Sequence, residues 1–138
     1  MAKKISHIGI AVKNLDTSCS WYQDVLELPL EGIETVESEQ VRVAFFKVGE
    51  SRIELLEPLS ENSAIAKYIA RFGEGIHHIA LEVEELEERL KALREKGVRL
   101  INERPKPGAH QMNIAFLHPK QAGGVLVELC EPNHSVED

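Results

Sequence analysis

The stretch Gly75-Ile76-His77-His78-Ile79-Ala80-Leu81-Glu82-Val83 repeats the character of an earlier one, Ser6-His7-Ile8-Gly9-Ile10-Ala11-Val12. In both stretches a histidine is followed by isoleucine, a small residue, a large apolar residue and, two positions later, valine. His78 follows His7 by 71 positions. One such coincidence is weak evidence of duplication by itself.

Two further matches occur in the same order along the chain. At the same offset of 71, Ala115-Phe116-Leu117 follows Ala44-Phe45-Phe46. At an offset of 74, Glu128-Leu129-Cys130-Glu131-Pro132 follows Glu54-Leu55-Leu56-Glu57-Pro58. Three ordered matches at nearly one offset indicate a duplicated module, with three residues inserted in the second copy.

Length and composition limit the possible classes of protein. The chain has 138 residues, 43% hydrophobic and 28% charged, with a net charge of −7. This composition is typical of a globular domain, and two half-size modules would need to share one core, so we predict a single domain over residues 1–138. The negative charge argues against a nucleic-acid partner.

No apolar run approaches the ~18 residues of a membrane span, and the first residues form no apolar signal segment, so a cytoplasmic protein without membrane association is expected.

The first module, about residues 4–59, is predicted to have the element order βαβββ. Alternation over 5–12 predicts a strand with His7, Gly9 and Ala11 on one face. A helix capped by Asn14 or Asp16 follows and ends before Pro29, and its aromatic residues Trp21 and Tyr22 are interpreted as core. Three strands are then predicted, near 32–36, at 41–48 and at 52–56.

A connector helix over 64–72, within a segment of about 62–73, is predicted to link this module to a second one at about 75–132. Asn62-Ser63 offers its cap, and Gly73 ends it. The second module is predicted as a strand at 76–83, a helix at 85–96, a strand at 98–102, a Pro/Gly-rich loop at 104–110 and strands at 113–118 and 125–130. The predicted fold class is α+β, with two βαβββ modules forming a half-open, eight-stranded curved sheet around a shared metal site. A doubly wound α/β sheet is disfavoured, because each helix is followed by three strands in hairpin sequence.

A histidine at the start and a glutamate at the end of each module are the candidate metal ligands. Glu54 and Glu128 lie in otherwise apolar strands, where a buried carboxylate is costly unless it is paired or bound to metal. If the modules pack about a pseudo-two-fold axis, His7, Glu54, His78 and Glu128 can converge on one divalent ion with two open positions. His77 has the opposite strand parity and is interpreted as structural or as a partner of a ligand. The two cysteines, Cys19 and Cys130, are expected to be buried and reduced. 

The quoted motifs also carry a family resemblance over about residues 4–132. His-Ile-Gly-Ile-Ala-Val, the segment Gly73-Glu74-Gly75-Ile76-His77-His78-Ile79-Ala80 and Gly124-Val125-Leu126-Val127-Glu128-Leu129 resemble the vicinal oxygen chelate superfamily, which includes glyoxalase I and extradiol dioxygenases. Together with His118-Pro119-Lys120, they are most similar to its methylmalonyl-CoA epimerase family.

This resemblance implies a metal-dependent isomerase of propionyl-CoA metabolism that interconverts the C2 epimers of methylmalonyl-CoA. An ion bound to the thioester and carboxylate oxygens would stabilise the enolate that forms when the C2 proton leaves. Co²⁺ is favoured, with Mn²⁺, Ni²⁺, Fe²⁺ or Zn²⁺ as alternatives. The resemblance also implies a homodimer. The alternatives are a lyase of the glyoxalase I type and a metal-free ligand-binding resistance protein on the same fold.

Epimerisation needs proton removal on one face of C2 and proton return on the other. Some epimerases of this type supply one of the two groups from a glutamate whose place here is taken by Val43. Because glyoxalase I uses two metal-bound glutamates facing each other, we predict that Glu54 and Glu128 are both ligands and the opposing acid–base pair. Glu37 or Glu39 is the alternative second base.

A CoA substrate would bring several phosphate charges to a protein of negative net charge. The candidate counter-charges are Arg104 and Lys106 in the Pro/Gly-rich loop and Lys120 in the turn before the last strand. We predict that these three residues contact the CoA moiety.

Overall fold

The computed structural model describes residues 2–133, and its chain divides into two compact units. The first unit is His7–His77, and the second consists of the residues up to Ser6 together with those from His78 onward. Within the described residues the units contain eight β-strands and three α-helices. 

The first unit contains the elements predicted for the first module and the connector. They are β1 (Lys4–Ala11), α1 (Leu15–Asp24), β2 (Leu30–Val36), β3 (Val41–Val48), β4 (Ser51–Pro58) and α2 (Ala64–Phe72). The strand order is β2-β3-β4-β1, in which β2, β3 and β4 are antiparallel and β4 is parallel to β1. The side chain of Ser63 caps α2, and Gly73 follows its end, which confirms the predicted connector helix.

Helix α1 packs on one face of this sheet. Asn14 caps it by accepting a hydrogen bond from the Thr17 N–H at 2.9 Å. Leu15 and Cys19, one turn apart, join a buried cluster with Phe46 of β3, and burial raises the pKa of the Cys19 thiol. The prediction that Trp21 lies in the core is wrong. Trp21 lies outside the helix face formed by Leu15 and Cys19 and is 51% exposed. 

The second unit repeats the same order of elements. Its elements are β5 (Gly75–Glu82), α3 (Leu86–Glu95), β6 (Lys106–Pro107), β7 (Met112–Leu117) and β8 (Val127–Pro132). The first three residues of β5 belong to the first unit. The strand order in this unit is β1-β5-β8-β7-β6. It includes β1 because the first residues of that strand belong to the second unit. Beside them, the Lys3 N–H donates to the Glu82 carbonyl at 2.8 Å. Leu86 and Leu90 of α3 pack on Ala115 and Leu129 of the sheet.

The position of the edge strand differs from the prediction. Residues 98–102 were predicted as a strand and 104–110 as a loop, but the short strand β6 lies at Lys106–Pro107. Only Leu100 of the earlier segment forms a β-bridge, with Leu117. The side chain of Asn102 accepts the Phe116 N–H at 2.8 Å, so a side chain takes the place of a backbone acceptor and interrupts the ladder.

A glutamate from the last strand of each unit caps the first helix of that unit. Glu57 accepts the Leu15 N–H at 2.8 Å, and Glu131 accepts the N–H groups of Glu85 and Leu86 at 2.6 and 3.2 Å. A carboxylate at a helix N-terminus satisfies otherwise unpaired N–H donors and interacts favourably with the helix dipole. The duplicated Glu-Pro ends of β4 and β8 therefore have a structural role.

We expect Glu131→Ala to lower the free energy of unfolding by about 1–2 kcal/mol, because two donors at the start of α3 lose their acceptor. Urea denaturation measures the change. Glu61→Ala, which removes an exposed carboxylate outside the helices, is the control and should have little effect. An unchanged midpoint for Glu131→Ala would contradict the capping role.

The fold class predicted from the sequence is confirmed: α+β, with two βαβββ modules whose eight strands belong to one sheet. Cys19 and Cys130 are buried and form no disulfide, as expected. Within residues 2–133, no helix is long and apolar enough to cross a membrane.

Candidate active site

In the first unit, His7 and Glu54 form a buried pair on neighbouring parallel strands. Gly9 of β1 is in register with Glu54 of β4, so the histidine two residues before Gly9 lies on the same face of the sheet as the glutamate. His7 Nδ1 lies 3.2 Å from Glu54 Oε2. His7 is 5% exposed and Glu54 is 3% exposed. 

Arg52 adds a positive charge to the same face of β4. Its Nη2 and Nε atoms each lie 3.4 Å from Glu54 Oε2, the oxygen that His7 also contacts. This arginine was not identified from the sequence. Comparison of the modules at the offset of 74 could have found it, because the equivalent position in the second module is Leu126.

In the second unit, His78 and Glu128 form the corresponding pair. Ala80 of β5 is in register with Glu128 of β8, as Gly9 is with Glu54 in the first unit. His78 Nε2 lies 3.4 Å from Glu128 Oε1, and the ring of Phe116 packs edge-on against the imidazole at 5.5 Å between centroids. His78 is 5% exposed and Glu128 is 3% exposed. The sequence duplication thus corresponds to a repeated arrangement of side chains.

The donor chemistry of each pair fits a divalent metal. A pair offers one imidazole nitrogen and one carboxylate oxygen, which suit Mn²⁺, Fe²⁺, Co²⁺, Ni²⁺ and Zn²⁺. A buried carboxylate is costly unless it is paired or bound to a metal, and a divalent cation would offset that cost for both glutamates. Participation of His7, Glu54, His78 and Glu128 in one ligand set remains a prediction.

His77 lies beside the second pair in sequence but has different surroundings. Its ring packs edge-on against Tyr68 at 5.0 Å between centroids. Burial lowers the pKa of His77, and the nearby charge of Glu39 acts in the opposite direction. These contacts give His77 a packing role against α2, in keeping with the structural role predicted for it.

The alternative bases lie in the β2–β3 connection. Glu37 and Glu39 belong to a 3₁₀ turn over Glu37–Glu39, where Glu37 is exposed and Glu39 is half-buried. Val43 of β3 is 1% exposed and is in register with Leu56 of β4. Its side chain shares a face of the sheet with Glu54, because Phe45, two residues on, is the register partner of Glu54.

The three residues predicted to contact CoA lie on the second unit. Arg104 is exposed, Lys106 is half-buried on β6, and Lys120 is exposed in a 3₁₀ turn over Pro119–Ala122. The His118 side chain caps this turn by accepting the Lys120 N–H at 3.0 Å. A role for these residues in binding CoA remains a prediction.

Comparison with known proteins places the chain in a family. The model of the Glyoxalase/Bleomycin resistance protein/Dioxygenase superfamily matches residues 6–116. The chain is 44% identical to an uncharacterized protein of Bacillus subtilis over 94% of this chain and 92% of that one. It is 37% identical to the ethylmalonyl-CoA/methylmalonyl-CoA epimerase of Cereibacter sphaeroides, over 94% of this chain and 98% of that one.

A solved structure gives the same result. The Streptomyces coelicolor methylmalonyl-CoA epimerase in complex with 2-nitronate-propionyl-CoA, in a form that carries one substitution, superposes with a TM-score of 0.93 and is 36% identical over 97% of each chain. Identity above 30% over nearly whole chains agrees with the shared fold. The protein therefore belongs to the Glyoxalase/Bleomycin resistance protein/Dioxygenase superfamily and, within it, to the methylmalonyl-CoA epimerase family.

Proposed function

We propose that this protein interconverts the two C2 epimers of methylmalonyl-CoA, with His7, Glu54, His78 and Glu128 as the ligands of one divalent metal ion. The observation that carries the proposal is the repeated, buried histidine–glutamate pair in a member of the epimerase family. A duplicated pair supplies two carboxylates, and an epimerisation needs two proton-transferring groups.

In the proposed reaction the C2–H bond breaks as one glutamate carboxylate takes the proton, and the electron pair moves into the thioester to form an enolate. The second glutamate, as a carboxylic acid, then returns a proton to the opposite face of C2. We assign these roles to Glu54 and Glu128. When bound, the metal would supply Lewis-acid stabilisation of the negative charge that develops on the substrate.

The surroundings of the two carboxylates suit this task. All four residues of the pairs are at most 5% exposed, so little water competes with the substrate for the transferred proton. The imidazoles of His7 and His78 hold the carboxylates at 3.2 and 3.4 Å, which limits their rotation. Both carboxylates are therefore ordered before substrate binds.

The substrate assignment is tested by supplying each pure epimer of methylmalonyl-CoA to the purified protein loaded with Co²⁺ in D₂O. We expect either epimer to give the same mixture, with deuterium at C2. The hemithioacetal of methylglyoxal and glutathione is the rival substrate, because a lyase of the glyoxalase I type would use the same donor set. Conversion of the hemithioacetal with no change in either epimer would overturn the proposal in favour of that lyase.

A double variant tests the proposed CoA contacts. We expect Lys106→Ala/Lys120→Ala to raise KM for methylmalonyl-CoA by about 3- to 10-fold, because an ion pair that water can reach contributes up to about 1 kcal/mol to binding a phosphate. The salt dependence of KM should weaken in parallel. Lys91→Ala/Lys96→Ala, which removes two exposed lysines of α3 and its end, is the matched control for net charge. Unchanged KM and salt dependence would exclude both lysines from the binding site.

Co²⁺ as the native metal, a homodimer and a cytoplasmic location accompany this proposal as expectations from the family resemblance. Metal analysis of the purified protein and sedimentation equilibrium would test the first two.

A further inference from the structure

The two modules differ at one position beside their buried glutamates. Arg52 precedes Glu54 by two residues, and Leu126 precedes Glu128 by two residues at the same offset of 74. The modules are otherwise alike here, since each glutamate follows an apolar residue and is in register with a small residue of the neighbouring parallel strand. The duplication therefore provides an internal comparison for the role of Arg52.

Strand formation does not require an arginine at this position. A guanidinium that has lost most of its solvent carries a desolvation cost, and the Arg52 side chain is 13% exposed. Leu126 shows that an apolar residue is compatible with the equivalent place, where its carbonyl accepts the Ile79 N–H at 3.2 Å. The contacts of Arg52 must then explain its presence.

Among those contacts, Arg52 meets the Glu54 carboxylate at a single oxygen. Arg52 Nε and Nη2 each lie 3.4 Å from Glu54 Oε2, and His7 Nδ1 lies 3.2 Å from the same atom. A carboxylate that is held through one oxygen by two neighbours has little freedom to rotate. A planar guanidinium also fixes the orientation of a carboxylate, which a point charge does not.

We infer that Arg52 is a positioning residue that orients the Glu54 carboxylate for proton transfer and thereby makes the two glutamates non-equivalent. The inference rests on the proposed function, in which Glu54 and Glu128 each remove the C2 proton of one epimer. It predicts that replacement of Arg52 slows C2 hydrogen exchange mainly for the epimer that Glu54 deprotonates. Replacement of a residue that only supported the fold would slow exchange of both epimers equally.

The experiment measures C2 hydrogen exchange with D₂O from each pure epimer, separately, with Co²⁺-loaded protein. Glu54→Gln first identifies the epimer that depends on Glu54. We expect Arg52→Leu, which copies the second module, to slow exchange of that same epimer about tenfold and to leave the other within about twofold. The double variant Arg52→Leu/Glu54→Gln should be no slower than Glu54→Gln, because Arg52 acts through Glu54.

Lys47→Gln is the matched control, since Lys47 is the register partner of Arg52 on β3 and its exposed side chain carries the same charge. It should exchange both epimers at the wild-type rate. If Arg52→Leu does not fold, Arg52→Lys replaces it in the same comparison, because lysine keeps the charge and lacks the planar fork. Equal slowing of both epimers, or a further loss in the double variant, would overturn the inference.

Affinity for Co²⁺ provides a second readout that does not depend on turnover. The effects of Arg52→Leu and Glu54→Gln on the Kd for Co²⁺ should be non-additive, whereas those of Arg52→Leu and Glu128→Gln should multiply. Additive behaviour of Arg52 with Glu54 would count against the inference. If the wild-type protein exchanges neither epimer, the proposed function fails, and this affinity cycle still decides whether Arg52 positions Glu54.

Discussion

Replacement of either Glu54 or Glu128 by glutamine is expected to slow interconversion of the methylmalonyl-CoA epimers by at least about 100-fold, because each carboxylate transfers a proton on one face of C2. Glutamine keeps the size of the side chain but cannot take up the proton. Each variant should nevertheless still exchange the C2 hydrogen of one epimer with D₂O, through the glutamate that remains. The two variants should retain exchange with opposite epimers.

The measurement follows deuterium at C2 and the epimer ratio in the same samples, after metal analysis shows that each variant still binds an ion. Glu61→Gln, an exposed change outside the strands and helices, is the control. Interconversion at the wild-type rate by Glu54→Gln would contradict the assignment and would direct the search for the second base to Glu37 and Glu39.

The second large effect is expected in metal binding. His7→Ala and His78→Ala should each weaken binding of Co²⁺ by at least about 100-fold, because each removes a nitrogen ligand, whereas loss of a residue that merely supports a ligand costs about 10- to 100-fold. Epimerisation should fall in parallel and recover in part at high Co²⁺ concentration. Equilibrium dialysis followed by elemental analysis measures the affinity.

His118→Asn is the matched control for this experiment. It removes an imidazole from the second unit, while asparagine can still cap the 3₁₀ turn through the Lys120 N–H. Undiminished metal content in both His7→Ala and His78→Ala would end the assignment of these histidines as ligands.

Much of the fold could be predicted because local signals agree with the tertiary structure. The connector helix was predicted with its observed ends, since Ser63 caps its start and Gly73 follows its last turn. The strands β1 and β5 were predicted from alternation of small and large apolar residues, which corresponds to two differently packed faces. Duplication strengthened both predictions, because each module supports the interpretation of the other.

The errors arise where tertiary contacts replace local preference. Residues 98–102 have a strand-like pattern, but the Asn102 side chain takes up a backbone donor of β7, and the regular edge strand forms at Lys106–Pro107. Trp21 is apolar but lies outside the stripe of α1 that packs on the sheet. The spacing of Leu15, Cys19 and Tyr22 at i, i+4 and i+7 marks the covered face of α1, and Trp21 falls outside it.

For the candidate site, the sequence identified the buried glutamates because a carboxylate in an apolar strand needs a partner. It did not identify Arg52, whose contact with Glu54 depends on two side chains on one face of β4. Arginine next to a turn is usually solvated, so only the comparison with Leu126 or the structure itself draws attention to it.

The most direct test of the account is the stoichiometry of metal binding measured together with activity. The account holds that the two histidine–glutamate pairs serve one ion and that this ion supports epimerisation. Metal-free protein titrated with Co²⁺ should show an absorption change and an epimerisation rate that both stop rising at one ion per chain. Saturation at two ions per chain, or an epimerisation rate that does not depend on added metal, would contradict it.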